Sequence, residues 1–330
     1  MRRIFTKLPQ TFPVSRLHAL LRPPYRLRSV YERLLGTEVE IQIVASTRRA
    51  AEAAEQVALA ELERLNAVLN RFDPESEWRR MLSRPGALQQ VSADLRTVLA
   101  LATHWQEASH GALHAGADAL GAVWAAAARR GHPPHPAELA PVIQGLTEPL
   151  WTLHPGGQVT IHTPLPLGLN ALAKGYVVDR MAERAFAQPG VQAVLVNAGG
   201  DLRTLGGRGL NVSVADPSTA RDDAPPLTQV RVQDAALATS GLAHRGLQVG
   251  GQWYSHLLDP RTGQPVAGVT GVTVVAPLAV TADALATALS VLGVPDGLTL
   301  ADRTPGAAAL IVTRGGGQHA SRRWAALTPT

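Results

Sequence analysis

The 330-residue chain contains no cysteine. That removes disulfides, thiolate metal sites, a cysteine nucleophile and a lipid-modified N-terminal cysteine from the readings open to it. Aromatic residues are scarce, at 4%, in a composition biased towards Ala, Gly and Pro. No apolar run approaches the length of a membrane span. The apolar core of a secretory signal is also missing: the nearest stretch, Leu17 to Leu21, is too short and contains His18. The default expectation is a cytoplasmic, globular protein. No internal repeat and no break in composition divides the chain, which points to one domain with two lobes. A dinucleotide-binding fingerprint is excluded as well. Gly199-Gly200 leads into Asp201-Leu-Arg-Thr-Leu, which reads as a strand, whereas that fingerprint must open a helix.

What is present divides into three stretches. The formal charge is +5, and much of the excess precedes residue 35, at Arg2, Arg3, Lys7, Arg16, Arg22, Arg26 and Arg28. Residues 1–34 are read as a basic leader, a solvated tail rather than an arm for nucleic acid or lipid. The folded domain is expected over 35–315, with a C-terminal tail over 316–330. Val39, Ile41 and Ile43 alternate with polar residues as a half-buried strand. A long amphipathic helix is predicted from Thr47 to Leu69. Ser92 is the expected N-cap of a helix over Ala93 to Ala108. Asp118 to Arg129 reads as a helix, and His132 to Pro141 as a Pro-rich surface connection. Beyond Asp201 the chain turns strand-rich, with helices at Thr281 to Leu292 and Pro295 to Ala301. The class is therefore α+β: mostly antiparallel sheets with packed helices.

The most informative stretch runs from Gly168 to Asp201. Ala173, Tyr176, Val177, Met181 and Phe186 recur at helical spacing, with Asp179, Arg180, Glu183 and Arg184 on the other face. A buried strand, Val191 to Val196, then ends in Asn197-Ala198-Gly199-Gly200-Asp201. Two glycines there leave amides free to approach an anion, with Lys174 close by; a plain turn is the alternative. Asp283 and Thr287 stand four residues apart on one helix face, a carboxylate and a hydroxyl suited to a hard cation. The competing reading has Thr281 capping that helix and Asp283 answering its dipole. His256 lies on a strand's polar face, as a site residue or as a half-exposed strand histidine.

The segments LGTEVEI, NRFDPESE, LNALAKGYVVD, LVNAGGDLRTLG, ALATSG, YSHLLDPRTGQPV and VTVVAPLAVTADALATALSVLG occur in one order across roughly residues 35–315. In wording and order they resemble the ApbE family of bacterial flavin transferases, which move FMN from FAD onto a threonine or serine of a target protein. The resemblance implies FAD as substrate, AMP as leaving group, and an acceptor flavoprotein carrying a Ser/Thr site. It implies Mg2+ held by Asp283, Thr287 and an oxygen of Ala171. It places FAD contacts at Lys174, Asn197, Gly199, Gly200, Asp201, Thr239, Ser240 and Gly241, and at His256, Leu257 and Arg261. Leu35 takes the place of a methionine, and Phe72 that of an aromatic that packs on the cofactor. Lys174, with the Gly199-Gly200 amides, would offset developing charge, and His256 would act as general base or orient the acceptor hydroxyl.

Two departures stand out. The family's loop begins with aspartate where this chain has Gly168, and its Ala-Phe-Asp signature appears as Ala112-Leu113-His114. Either Asn170 and His114 make substitute contacts, or the flavin binds differently. A flavin-binding module without transferase activity and a metal-dependent FAD pyrophosphatase are the competing functions.

Overall fold

The computed structural model describes residues 23–217, 219, 224–241 and 246–328. The chain begins with β1 (Tyr25–Leu34), β2 (Thr37–Ala45), α1 (Arg48–Leu69), α2 (Glu77–Leu82), β3 (Leu88–Gln90), α3 (Ala93–Ala108), α4 (Ala117–Arg130) and α5 (Pro136–Leu146). It continues with β4 (Trp151–Leu153), β5 (Gln158–Ile161), α6 (Asn170–Phe186), β6 (Val191–Ala198), β7 (Asp201–Gly206), β8 (Leu210–Val214), β9 (Thr228–Val232) and β10 (Ala236–Gly241). It ends with β11 (Gly246–Val249), β12 (Gln252–Ser255), β13 (Val269–Ala276), α7 (Ala279–Leu292), α8 (Val294–Arg303), β14 (Ala308–Thr313) and β15 (Gln318–Ala320). The expected α+β class is what is found.

The frame is an eight-stranded sheet in the order β1-β2-β6-β7-β10-β13-β14-β15. Every neighbouring pair in it runs antiparallel. One face carries α1, α6 and α7, where Leu65, Met181, Leu285 and Leu289 pack with Ile41, Ile43, Val196 and Val274. Full burial of each large aliphatic side chain contributes roughly 2 kcal/mol. The opposite face is covered by a smaller cluster of Leu237, Val275 and Leu310 with Val230, Val232 and Trp324. Strand β13 is thus buried on both sides, which is why Val272 to Val275 is a continuous β-branched run rather than an alternation. A third cluster joins α4 and α5 to the β11-β12 hairpin through Leu120, Trp124, Leu139 and Val249. There Trp124 Nε1 donates to the Gly263 carbonyl at 2.8 Å. Among the described residues, no helix is long and apolar enough to cross a membrane.

Several expectations need correcting. Strand β1 lies inside the stretch read as a leader and pairs along β2 from Tyr25↔Ala45 to Leu34↔Thr37. Its arginines, Arg26 and Arg28, sit on an edge strand, and Arg28 pairs with Glu40. Charge alone disguised the strand, because its inward residues Leu27 and Tyr31 are the buried ones. Arg2, Arg3, Lys7, Arg16 and Arg22 lie outside the described residues. The Pro-rich connection is partly helix α5. Pro136 occupies its first turn, and His135 and Glu138 form a reciprocal capping box. The small sheet β3-β5-β4 and the short helix α2 gave no sequence signal above the turns around them. Strand β12 stops at Ser255, so His256, read as a strand residue, lies just past its end, and Leu258 bridges to Pro265.

The start of α7 is decided by contacts between elements. Thr281 does not cap it; the helix begins at Ala279, two residues earlier. Its first amides are met by Asp179 of α6, whose Oδ1 and Oδ2 accept from Ala279 N at 2.8 Å and Val280 N at 2.9 Å. Asp179 is therefore buried, not on the solvent face read from periodicity, whereas Phe186, read on the apolar face, is exposed. Gly175 allows this approach. A Cβ there would meet Ala279 O at 2.6 Å and Val280 Cα at 2.7 Å, backbone atoms that cannot yield locally. Gly175→Ala is expected to cost about 1–3 kcal/mol, by the usual penalty for overpacking. Thermal unfolding checks this, and an unchanged midpoint would refute the close packing.

Candidate functional site

Between the sheet with its helices and the α4-α5 lobe lies a cavity of about 1940 Å3. The start of α6, the β6-β7 turn, the end of β10, the stretch after β12 and one face of α7 all reach it. It collects Leu35, Phe72, Ala112, Leu113, His114, Gly168, Ala171, Lys174, Gly199, Asp201, Thr239, Ser240, Gly241, His256, Leu257, Asp283 and Thr287 from the sequence expectation. Asn197, Gly200 and Arg261 are not in its wall.

One end of the cavity holds a charged cluster. Lys174 Nζ lies 2.9 Å from Asp201 Oδ2. Asp201, the first residue of β7, stands beside Asp283 of α7, close enough for each carboxyl to act on the other's charge. Both carboxyls are buried, and Asp283 Oδ2 has no hydrogen-bond partner among the described residues. Burial, reinforced by the neighbouring Asp201 charge, pushes Asp283 well above the ordinary carboxylate range, against the pull of Lys174. Burial also raises Asp201, opposed by Lys174. Two carboxylates with one ammonium leave a formal negative charge in a desolvated place. That arrangement is costly without a further cation.

The Gly-Gly turn contributes differently from the expected anion cradle. Ala198 pairs with Asp201, so Gly199 and Gly200 form a two-residue hairpin turn, at φ of 56° and 96°. Neither amide is free: Gly199 N donates to Glu38 O at 3.1 Å, and Gly200 N to Asn197 Oδ1 at 3.2 Å. The turn's role is to set Asp201 against Lys174. Arg261 is likewise turned away, its guanidinium held by Asp259 at 2.9 and 2.8 Å. Thr239 is neighboured across the sheet by Thr273, their hydroxyls 3.1 Å apart. His256 is exposed, just past β12. Phe72 is 85% exposed, an aromatic ring offered to whatever enters the cavity.

The two departures also resolve in part. The ring of His114 is buried, and its Nδ1 accepts from Gly116 N at 3.0 Å, so it braces the turn before α4. Burial holds its pKa below the usual imidazole value, keeping it neutral. At Gly168, a Cβ would fall 2.5 Å from Asp118 Oδ2. A carboxylate from α4 already occupies that space. Sequence reasoning missed Asp118 because an acidic residue in a helix's first turn reads as a dipole partner.

Fold and cavity together define a ligand-binding α+β protein whose cavity exceeds the ordinary small-molecule range. A model of the ApbE family matches residues 35–311, and the chain belongs to that family. It is similar to the FAD:protein FMN transferase of Haemophilus influenzae, at 28% identity over 264 residues, 76% of each chain. It is also similar to that of Escherichia coli, at 34% identity over 155 residues, 46% of this chain but 44% of that one. Among solved structures, the ApbE protein of Thermotoga maritima superposes with a TM-score of 0.77 at 27% identity, covering 93% of this chain and all of that one. The apo flavinyl transferase ApbE of Pseudomonas stutzeri gives 0.78 at 25%, covering 94% and 99%.

Proposed function

We propose that this protein is an FAD:protein FMN transferase, moving FMN from FAD onto a Ser or Thr hydroxyl of an acceptor protein and releasing AMP. The observation that carries the reading is the Lys174–Asp201–Asp283 cluster, buried at the end of a cavity large enough for a dinucleotide. The names of its relatives agree with it.

A divalent cation fits the residues present. Asp283 has an orphaned buried oxygen, Thr287 stands one helical turn further along the same face, and Ala171, which lines the same cavity, would offer its carbonyl. These are the oxygen donors that Mg2+ takes. Such an ion, when bound, would neutralise charge on the pyrophosphate of the substrate. The chain's own groups do the rest. Lys174 supplies positive charge beside the phosphates, held in place by Asp201. His256, exposed at the cavity's wall, would take the proton of the acceptor hydroxyl. As that oxygen bonds to the FMN phosphorus, the bond from phosphorus to the AMP oxygen breaks and AMP leaves. This chemistry needs positioning and charge neutralisation more than covalent help from the protein.

The test mixes the chain with FAD, Mg2+ and an acceptor bearing an exposed Ser/Thr site. After denaturation, flavin fluorescence on the acceptor band with an equal amount of AMP is expected. AMP with free FMN and a dark band would make the protein a pyrophosphatase. Bound FAD with no AMP would make it a flavin carrier.

A further inference from the structure

We propose that Asp118 is the carboxylate by which this cavity recognises a hydrogen-bond donor on its nucleotide ligand, and that Gly168 is the space kept clear for it. The inference rests on FAD being the ligand and assigns one of that ligand's contacts to a residue outside the family's motifs.

The loop before α6 is fixed by Gly168 N, which donates to Ala115 O at 2.8 Å. A Cβ added at 168 would lie 2.5 Å from Asp118 Oδ2, 2.7 Å from Cγ and 2.9 Å from Oδ1, so the whole carboxyl lies flat against the glycine. Both residues line the cavity. No left-handed backbone demands glycine at this point, so the steric demand of Asp118 is the reason found for it. Among the described residues, the partner of this carboxylate is Arg71, whose Nη2 lies 2.6 Å from Oδ2. Arg71 in turn sits over the exposed Phe72 ring, 5.4 Å from its centroid.

Such a pair adds little as a stability device. Both side chains are partly exposed, and ion pairs of that kind contribute close to nothing net. A carboxylate offers about four acceptor sites, and Arg71 approaches it only at Oδ2, as an ion pair rather than a hydrogen-bond donor. Those sites are available to a ligand, and an ionised carboxylate accepts only. Its complement is therefore an N–H or O–H group: a base amine, a ring imide or a sugar hydroxyl, all of which FAD carries. Arg71 fixes the carboxylate's orientation, and Phe72 brings a planar surface beside it.

The experiment titrates FAD against the wild type, Asp118→Ala, Gly168→Asp and the double variant, following flavin fluorescence, with thermal melts of each apo-protein. Asp118→Ala should weaken FAD binding about tenfold to hundredfold, the range for a hydrogen bond to a charged group, with an unchanged melting midpoint. Gly168→Asp should also weaken it, because two carboxylates are forced into one space. Combined, the two changes move the carboxylate across the same gap, and affinity should return to within a few-fold of wild type. FAD binding by Asp118→Ala equal to wild type, or a double variant no better than Asp118→Ala alone, would overturn the proposal. A wild type that does not bind FAD would overturn the proposed function and this inference with it, before any variant is compared.

Discussion

Asp283→Ala is expected to lower flavin transfer by about a thousandfold while leaving the apo-protein at least as stable as the wild type. The two halves of that result have one cause. Asp283 sits buried beside Asp201, and its carboxyl is displaced well above its usual range by burial and by that neighbouring charge. Such a group is unfavourable to folding on its own account, so its removal relieves a cost rather than a strength. The same crowding is what gives a divalent cation its site, and losing several kcal/mol of charge stabilisation in the transition state corresponds to about three orders of magnitude in rate. The assay is AMP release under Mg2+, paired with melts of the apo-protein with and without Mg2+. Wild type should gain stability with Mg2+ and the variant should not. Turnover within tenfold of wild type would end the assignment of Asp283 as a metal ligand.

The second large effect is structural. Asp179→Ala should cost about 3 kcal/mol, because it strands two amides at the start of α7 and leaves Arg203, 3.5 Å from Asp179 Oδ1, without its carboxylate. Asp179→Asn keeps one acceptor and should lose less. The pH dependence adds a sign that is easily checked. Burial raises the Asp179 pKa to about 6, despite the two amides and Arg203. An unfolded carboxylate titrates near its ordinary value of about 3.9, so between those limits the folded state binds the extra proton. This group's contribution to stability is therefore complete below about pH 4 and is lost as pH rises through 6. Between pH 7 and pH 5 it should add on the order of 1 kcal/mol to the wild type, an increment absent from Asp179→Asn. Denaturant melts of both proteins at the two pH values decide it, and parallel curves would show that Asp179 does not titrate there. Because Asp179 positions the helix that carries Asp283, the alanine variant should lose Mg2+-dependent turnover along with stability.

The sequence alone determined the elements whose signal is local. The alternation Val39, Ile41, Ile43, the long helix opening at Thr47, the cap Ser92, and the glycines closing β6 onto β7 each follow from one stretch of chain and its own periodicity or turn chemistry. Order and wording of the motifs gather Lys174, Asp201, Asp283 and Thr287 into one expected site, and one cavity holds all four. Only the tertiary structure decided what depends on contact between distant segments. Asp179 reads as a solvent-facing residue until α7 is packed against it through Gly175. The Gly199-Gly200 amides read as free until β2 supplies Glu38 O. Strand β1 is masked by its arginines until it pairs with β2. Asp118 and Gly168, fifty residues apart, show their mutual exclusion only where α4 meets the loop before α6. Periodicity records which face of an element is apolar, whereas the partner of a buried charge is set by which other element reaches it.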